Sequence, residues 1–212
     1  AVFAAIWIKG ILISRTLSDK FLKNHRITLS LICFALVILL STIQWDIIGS
    51  GQDTLQELIL SIIQSRKILF HTFLIYFLTT TISATSRLSG GLFLPSLALG
   101  AMLGGVVGSF FHEQFPMLTN SPGAYALIGM GCFFASVMKT PFTSIVMMFE
   151  LTRNYELIGA MMLANILAHS LSTWLHKGSL YENLSEQSGI SLPSKNEENE
   201  ELEKETVESI MV

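Results

Sequence analysis

Residues 90–104 read Gly-Gly-Leu-Phe-Leu-Pro-Ser-Leu-Ala-Leu-Gly-Ala-Met-Leu-Gly and open an uncharged segment that continues to Phe111. Glycine permits backbone dihedrals that are closed to other residues, and proline, which lacks an N–H, suits the first turn of a helix. We therefore predict a helix that begins near Leu92, with Pro95 in its first turn. The free N–H groups of Leu92 and Phe93 would carry the positive end of the helix dipole, which attracts anions, most strongly inside a membrane. The alternative is a glycine-rich turn that only starts a transmembrane helix.

Small residues recur at every fourth position of this predicted helix. They are Ser96, Gly100, Gly104 and Gly108. This spacing places them on one face, and such a stripe lets a second helix approach closely. The helix is therefore expected to begin inside packed protein rather than in lipid.

The composition is that of a membrane protein. Half of the 212 residues are hydrophobic and only 14% are charged, which is too apolar for an ordinary soluble domain. Cys33 and Cys132 lack metal-ligand spacing and a disulfide pattern, so both are interpreted as buried small hydrophobes. The sequence has no basic patch interleaved with aromatic residues, so it does not indicate nucleic acid as a partner. The chain opens within hydrophobic sequence without an initiator Met, so we expect a fragment of a longer membrane protein.

Long and half-length apolar segments alternate along the chain. Residues 27–45, 68–86 and 157–175 are long enough to span a bilayer, whereas 124–138 and 142–149 are short. This mixture is typical of transporters, in which broken helices point at a substrate near the midplane.

Charges suggest a topology. Positive residues cluster between Arg15 and Arg26, which by the positive-inside rule predicts a cytoplasmic loop. Nine of the 16 acidic residues follow Tyr181, and residues 191–205 are predicted to be a polar, acidic cytoplasmic linker. Residues 206–212 become apolar again and look like the opening of a further folded domain.

Three blocks of sequence then follow one another in an informative order. Residues 91–95 (Gly-Leu-Phe-Leu-Pro) match the GxFxP motif of the CLC chloride channels and chloride/proton antiporters. Residues 129–155 resemble the next three helices of that family. Tyr181 falls where the family places a tyrosine at the start of its last membrane helix. Arg87 departs from the pattern, because family members often have further small residues there.

The resemblance implies a fold and an anion site. CLC proteins consist of two inverted repeats, and residues 1–190 look like the second repeat, an all-α membrane domain with long, tilted and half-length helices. The family's central chloride would be bound here by the N–H groups of Leu92 and Phe93 and by the Tyr181 hydroxyl. Gly90, Gly91 and Pro95 would support the helix start. The family's serine motif, gating glutamate and proton glutamate are not in this sequence.

The resemblance also implies function and partners. It indicates chloride transport, as part of a voltage-gated channel or a chloride/proton antiporter, with the bilayer, the N-terminal repeat of the same parent chain and a second copy as partners. The expected dimer contacts are Ile145, Met148, Ile158 and Met162. Residues 206–212 resemble the start of a CBS domain, so a nucleotide is expected only if such a region follows. No cofactor, metal or catalytic residue is predicted.

The sequence also bears on two other function classes. A membrane enzyme finds no support, because the sequence has no HExxH motif, Cys/His cluster or nucleophile elbow. A non-transporting membrane scaffold or sensor, with the acidic cytoplasmic tail as a binding arm, stays as the alternative.

Overall fold

The computed structural model describes residues 1–22, 26–42, 66–86, 90–115, 121–152 and 155–189. Within these ranges the ordered elements are all helices, which confirms the predicted all-α class. The helices are α1 (Val2–Leu22), α2 (Arg26–Ser41), α3 (Arg66–Thr85), α4 (Phe93–Gln114), α5 (Pro122–Met138), α6 (Pro141–Thr152), α7 (Ile158–Leu175) and α8 (Leu180–Gln187).

Helix α4 begins where the glycine and proline pattern predicts. Leu92 is its N-cap residue, and its carbonyl accepts a hydrogen bond from the Ser96 N–H at 3.1 Å, which closes the first turn. Pro95 is the third helical residue, a position where a backbone N–H would lack an intrahelical acceptor.

The small-residue face of α4 packs directly on the backbone of α5. A Cβ atom added to Gly100 would lie 2.6 Å from the Gly129 carbonyl oxygen. One added to Gly104 would collide with the Tyr125 carbonyl oxygen, and one added to Gly108 would lie 2.6 Å from the Tyr125 Cβ. Ser96, the first residue of the stripe, is fully buried. The two backbones therefore approach so closely that larger residues do not fit along this face.

Helices α3 and α4 run antiparallel. The Arg66 guanidinium, at the start of α3, forms an ion pair of 3.3 Å with Glu113 at the end of α4 and lies 5.5 Å from the centre of the Phe110 ring. Since the two helices have 20 and 22 residues, the end of α3 and the start of α4 lie at the same end of the pair. Helix α1 packs along α3, with Phe3 and Phe73 in edge contact at 5.7 Å.

Three of the described helical segments are long and apolar enough to cross a membrane. Two are α3 and α4, and the third begins with α7 at Ile158. Helices α5 and α6 are apolar but shorter, as the alternation of long and short segments predicts. In α3 the hydroxyl-rich second half faces protein, since Thr79, Thr80 and Thr85 are buried.

One boundary differs from the sequence prediction. The segment predicted to span residues 27–45 is helical from Arg26 to Ser41, Thr42 lies in a turn, and residues 43–45 lie outside the described part of the chain. Helix α1 continues to Leu22, as the apolar period of residues 6–22 predicts, and so includes the first part of the positive cluster from Arg15 to Arg26. The predicted acidic linker and CBS-like end also lie outside the described residues.

The chain divides into two compact units, residues 1–178 and 179–212. The first contains α1 to α7, with α5 at its centre, because α5 packs against α4, α6, α7 and α1. The described part of the second unit is α8 with its flanking residues.

Candidate functional site

The first turn of α4 presents backbone donors without a side-chain cap. The N–H groups of Leu92, Phe93 and Leu94 precede the first intrahelical donor, and no side chain caps this helix end. Phe93 and Leu94 are 37% and 39% exposed in this chain. The Phe93 ring makes an edge contact at 5.1 Å with the buried Phe134 of α5. The ring thus packs the first turn of α4 against α5, while Phe93 and Leu94 themselves stay partly exposed.

The structure leaves open space around Gly91. A Cβ atom added at Gly91 would meet nothing within 4 Å, and its φ lies outside the left-handed region. The glycine is therefore not required here by crowding within the described residues or by backbone strain. Gly90 lies beside it on the exposed surface.

Tyr181 lies in the second unit, as the second residue of α8, and is 44% exposed. A capping box fixes the start of this helix. The Ser179 N–H donates to the Glu182 carboxylate at 2.6 Å, and the Glu182 N–H donates to the Ser179 hydroxyl at 3.2 Å. The capping box thus pairs the N–H groups of Ser179 and Glu182, and the partly exposed Tyr181 phenol follows directly after it.

Two of the four residues predicted for the dimer interface face inward, which corrects that prediction. Met148 is fully buried and Ile145 is 9% exposed, so both belong to the core of this chain. The Met148 side chain contacts the α5 backbone near Gly131. Met162 is 41% exposed and Ile158 is partly exposed, so they remain accessible to a partner. Residues on this outer face that are more exposed include Phe142, Val146, Leu163, Leu167 and Trp174.

A polar seam between α5, α6 and α7 was missed by the sequence analysis. The Ser144 hydroxyl donates to the Gly131 carbonyl at 2.8 Å and accepts from the Asn165 amide at 3.0 Å. Further along, the Ser172 hydroxyl donates to the Ser136 carbonyl at 2.8 Å and accepts from the Lys139 ammonium at 2.7 Å. These residues form one surface only after three helices pack together. The signal available in the sequence was their polarity within apolar segments.

The cavity beside the glycine face is mainly apolar and offers an anion few polar groups. Its volume is about 310 Å³, and it is lined mainly by apolar and glycine residues of α1, α4 and α5, with Tyr125 and Cys132 among them. Within the described ranges no group of three His, Cys, Asp or Glu residues could hold a metal ion.

The sequence is similar to that of known chloride channels and chloride/proton exchange transporters. The family model described as "Voltage gated chloride channel" matches residues 1–173. The chain is 33% identical over 163 residues to an H(+)/Cl(-) exchange transporter ClcA of Vibrio cholerae, a match that covers 74% of this chain and 34% of the relative. It is 35% identical over 117 residues to ClcA of Klebsiella pneumoniae, covering 55% of this chain and 25% of that protein.

A solved structure, described as a slow cyanobacterial Cl-/H+ antiporter, has the same fold. The TM-score is 0.76 at 22% identity, over 88% of this chain and 44% of that one. The chain thus spans about a third of the length of the first curated relative and under half of the solved structure.

Proposed function

Because the chain belongs to the voltage-gated chloride channel family, which also places it in a multi-pass membrane protein, we propose that it forms the C-terminal repeat of a protein that moves chloride across a membrane. The observation that supports this proposal most directly is the uncapped start of α4, formed by a sequence that matches the GxFxP motif. Helices α5 and α7 also begin without a side-chain cap, so the missing cap alone does not single out α4. The GxFxP motif and the family relationship are what distinguish α4 from these helices.

The chemistry of the site suits an anion that must bind and leave again. An anion in a low-dielectric setting needs several aligned donors. The N–H groups of Leu92 and Phe93 supply dipoles rather than a full charge, and the family resemblance would add the Tyr181 phenol as one further donor. Binding by dipoles permits release, whereas a buried cationic side chain at the site would hold the ion too tightly for transport. No cofactor is needed for this function.

The partial exposure of Phe93 and Leu94 favours a site that is completed by other parts of the parent protein. Phe93 and Leu94 are more exposed than the residues that follow them on the α5 side. A site at the junction of two inverted repeats takes donors from both. We therefore propose that the N-terminal repeat of the same parent chain covers this turn, and that this chain alone does not transport.

We further propose a homodimer that uses the outer face of α6 and α7, and a cytoplasmic location for the segment near Arg15–Arg26 and for the acidic tail.

The test is chloride efflux from liposomes that contain the full-length parent. Chloride efflux above that of empty liposomes is expected from the parent, and none from this chain alone. A parent that neither transports nor binds halide by calorimetry would instead support the membrane scaffold. Efflux from this chain alone at the rate of the parent would disprove the proposal that the N-terminal repeat is needed to complete the anion site.

A further inference from the structure

Two side chains from two other helices hold the C-terminal end of α3. Arg15 of α1 donates its Nε–H to the Ala84 carbonyl oxygen at 2.9 Å. Ser30 of α2 donates its hydroxyl to the Ser86 carbonyl oxygen at 3.1 Å. Ala84 and Ser86 are 8% and 7% exposed, so these carbonyl groups lie in a largely buried region.

The last carbonyl groups of a helix have no intrahelical donor and carry the negative end of the helix dipole. Leaving them unpaired in a buried membrane setting is costly. Ser30 pairs one such group without adding charge. Arg15 both pairs a carbonyl group and places a positive charge at the negative end of α3.

This helix end lies close to the proposed anion site. Ser86 precedes Leu92 by six residues, so the chain can separate them by no more than about 20 Å. The antiparallel pairing of α3 and α4, tied at the opposite end by Arg66 and Glu113, places the end of α3 beside the start of α4. The negative end of one helix therefore adjoins the positive end that would bind the anion.

We propose that Arg15 is a positioning residue for the anion site, and this inference rests on the proposed function. It fixes the end of α3, from which the chain leads into the glycines before α4. It also offsets the negative end of α3, which would otherwise repel an anion at the first turn of α4. At an effective dielectric constant of about 20, one unit charge at about 20 Å, the upper limit set by six residues of chain, changes the affinity of an anion about fourfold.

The experiment is halide titration of the full-length parent by calorimetry, with the melting temperature of each variant measured in parallel. Arg15→Met keeps the apolar stem and removes the charge and the donor, and chloride affinity should fall about three- to tenfold. Arg15→Lys should retain most of the affinity, because it keeps the charge and a donor. Arg15→Gln keeps a donor without the charge and should lie between the two.

Two control variants separate the contributions. Lys9→Met removes a positive charge from the exposed surface of the same helix, about 9 Å from Arg15 along its axis, and should change affinity less than twofold. Ser30→Ala removes the uncharged contact and should lower the melting temperature with less than a twofold effect on affinity.

The inference is overturned if Arg15→Met and Arg15→Gln bind halide like the unmodified parent, or if Arg15→Lys loses as much affinity as Arg15→Gln. If Arg15→Met fails to fold, the halide affinities of Arg15→Lys and Arg15→Gln still test the inference. If the unmodified parent itself binds no halide, the proposed function fails as well, which distinguishes the two failures.

Discussion

Gly100 of α4 and Gly129 of α5 lie back to back. A Cβ atom on Gly100 would stand 2.6 Å from the Gly129 carbonyl oxygen, and one on Gly129 would stand 2.5 Å from the Gly100 carbonyl oxygen. Real Cβ atoms do not approach a carbonyl oxygen so closely, so either substitution must push two backbones apart. This contact fixes the separation of the helix that carries the candidate donors from the helix at the centre of the first unit.

Gly100→Ala is therefore expected to destabilise the parent protein by about 1–3 kcal/mol, because backbone cannot move aside as a flexible side chain can. Gly159→Ala on α7 is the matched control, since an added Cβ meets nothing within 4 Å there. The control should be neutral or slightly stabilising, because alanine favours helix. Thermal unfolding in detergent measures both. Equal melting temperatures for the two variants would contradict the close packing.

Tyr181→Phe should lower chloride affinity by roughly tenfold or less. It removes one hydroxyl donor and keeps the ring, and a lost hydrogen bond to a charged group costs about 1.5–3 kcal/mol at most, less where water replaces it. The helix-end donors still hold the ion. Tyr155→Phe, at a tyrosine 76% exposed in the other unit, is the control and should leave affinity unchanged. Complete loss of halide binding in Tyr181→Phe would mean that the tyrosine, rather than the helix end, organises the site.

Gly91→Val tests whether glycine is needed at this position for folding or for anion binding. Because the space around Gly91 is open in this chain, the melting temperature of this chain should stay nearly unchanged. Halide affinity of the parent should fall, since a β-branched side chain would obstruct an ion that approaches the adjacent N–H groups. Normal halide binding by this variant would show that the anion does not approach past Gly91.

Asn165→Leu should destabilise the parent by about 1–3 kcal/mol, because it removes the donor to Ser144 from a fully buried seam. Ser170→Ala, on the exposed side of the same helix, removes only a hydroxyl bonded to the backbone of its own helix and serves as the control. Unfolding in a graded denaturing detergent compares them. A control as unstable as Asn165→Leu would argue against a special role of the seam.

Met162→Trp should shift the parent towards monomers if the outer face of α7 is the dimer interface. Leu31→Trp places the same bulk on α2, where Leu31 is 61% exposed, and should leave the oligomeric state unchanged. Cross-linking and light scattering in detergent give the result. A dimer equally stable in both variants would place the interface elsewhere.

The start of α4 and its packing face could be predicted from sequence because both depend on residues close together in the chain. Pro95 limits where a helix turn begins, and a period of four puts Gly100 and Gly104 on one side. The inward position of Met148 could not be predicted in the same way. In a membrane protein an apolar side chain suits either the core or the lipid, so hydropathy does not distinguish Met148 from Met162.

The hydrogen-bond partner of Arg15 could not be predicted from the local sequence either, for a different reason. Its hydrogen bond to Ala84 joins residues 69 positions apart, and its sequence neighbours suggested only a topological charge. Asn165 and Ser144 likewise lie on separate helices, and their hydrogen bond depends on how those helices pack.

The hydroxyl groups of α3 have one more consequence. Thr79, Thr80 and Thr81 donate to the carbonyl groups of Ile75, Tyr76 and Phe77 on their own helix, at 2.7–2.9 Å. Thr85 does the same to Thr81 at 2.8 Å. A hydroxyl whose proton is committed in this way offers an approaching anion only lone pairs and a methyl group. These four threonines of α3 therefore present no free hydroxyl proton to a passing chloride ion, and we do not expect them to bind it.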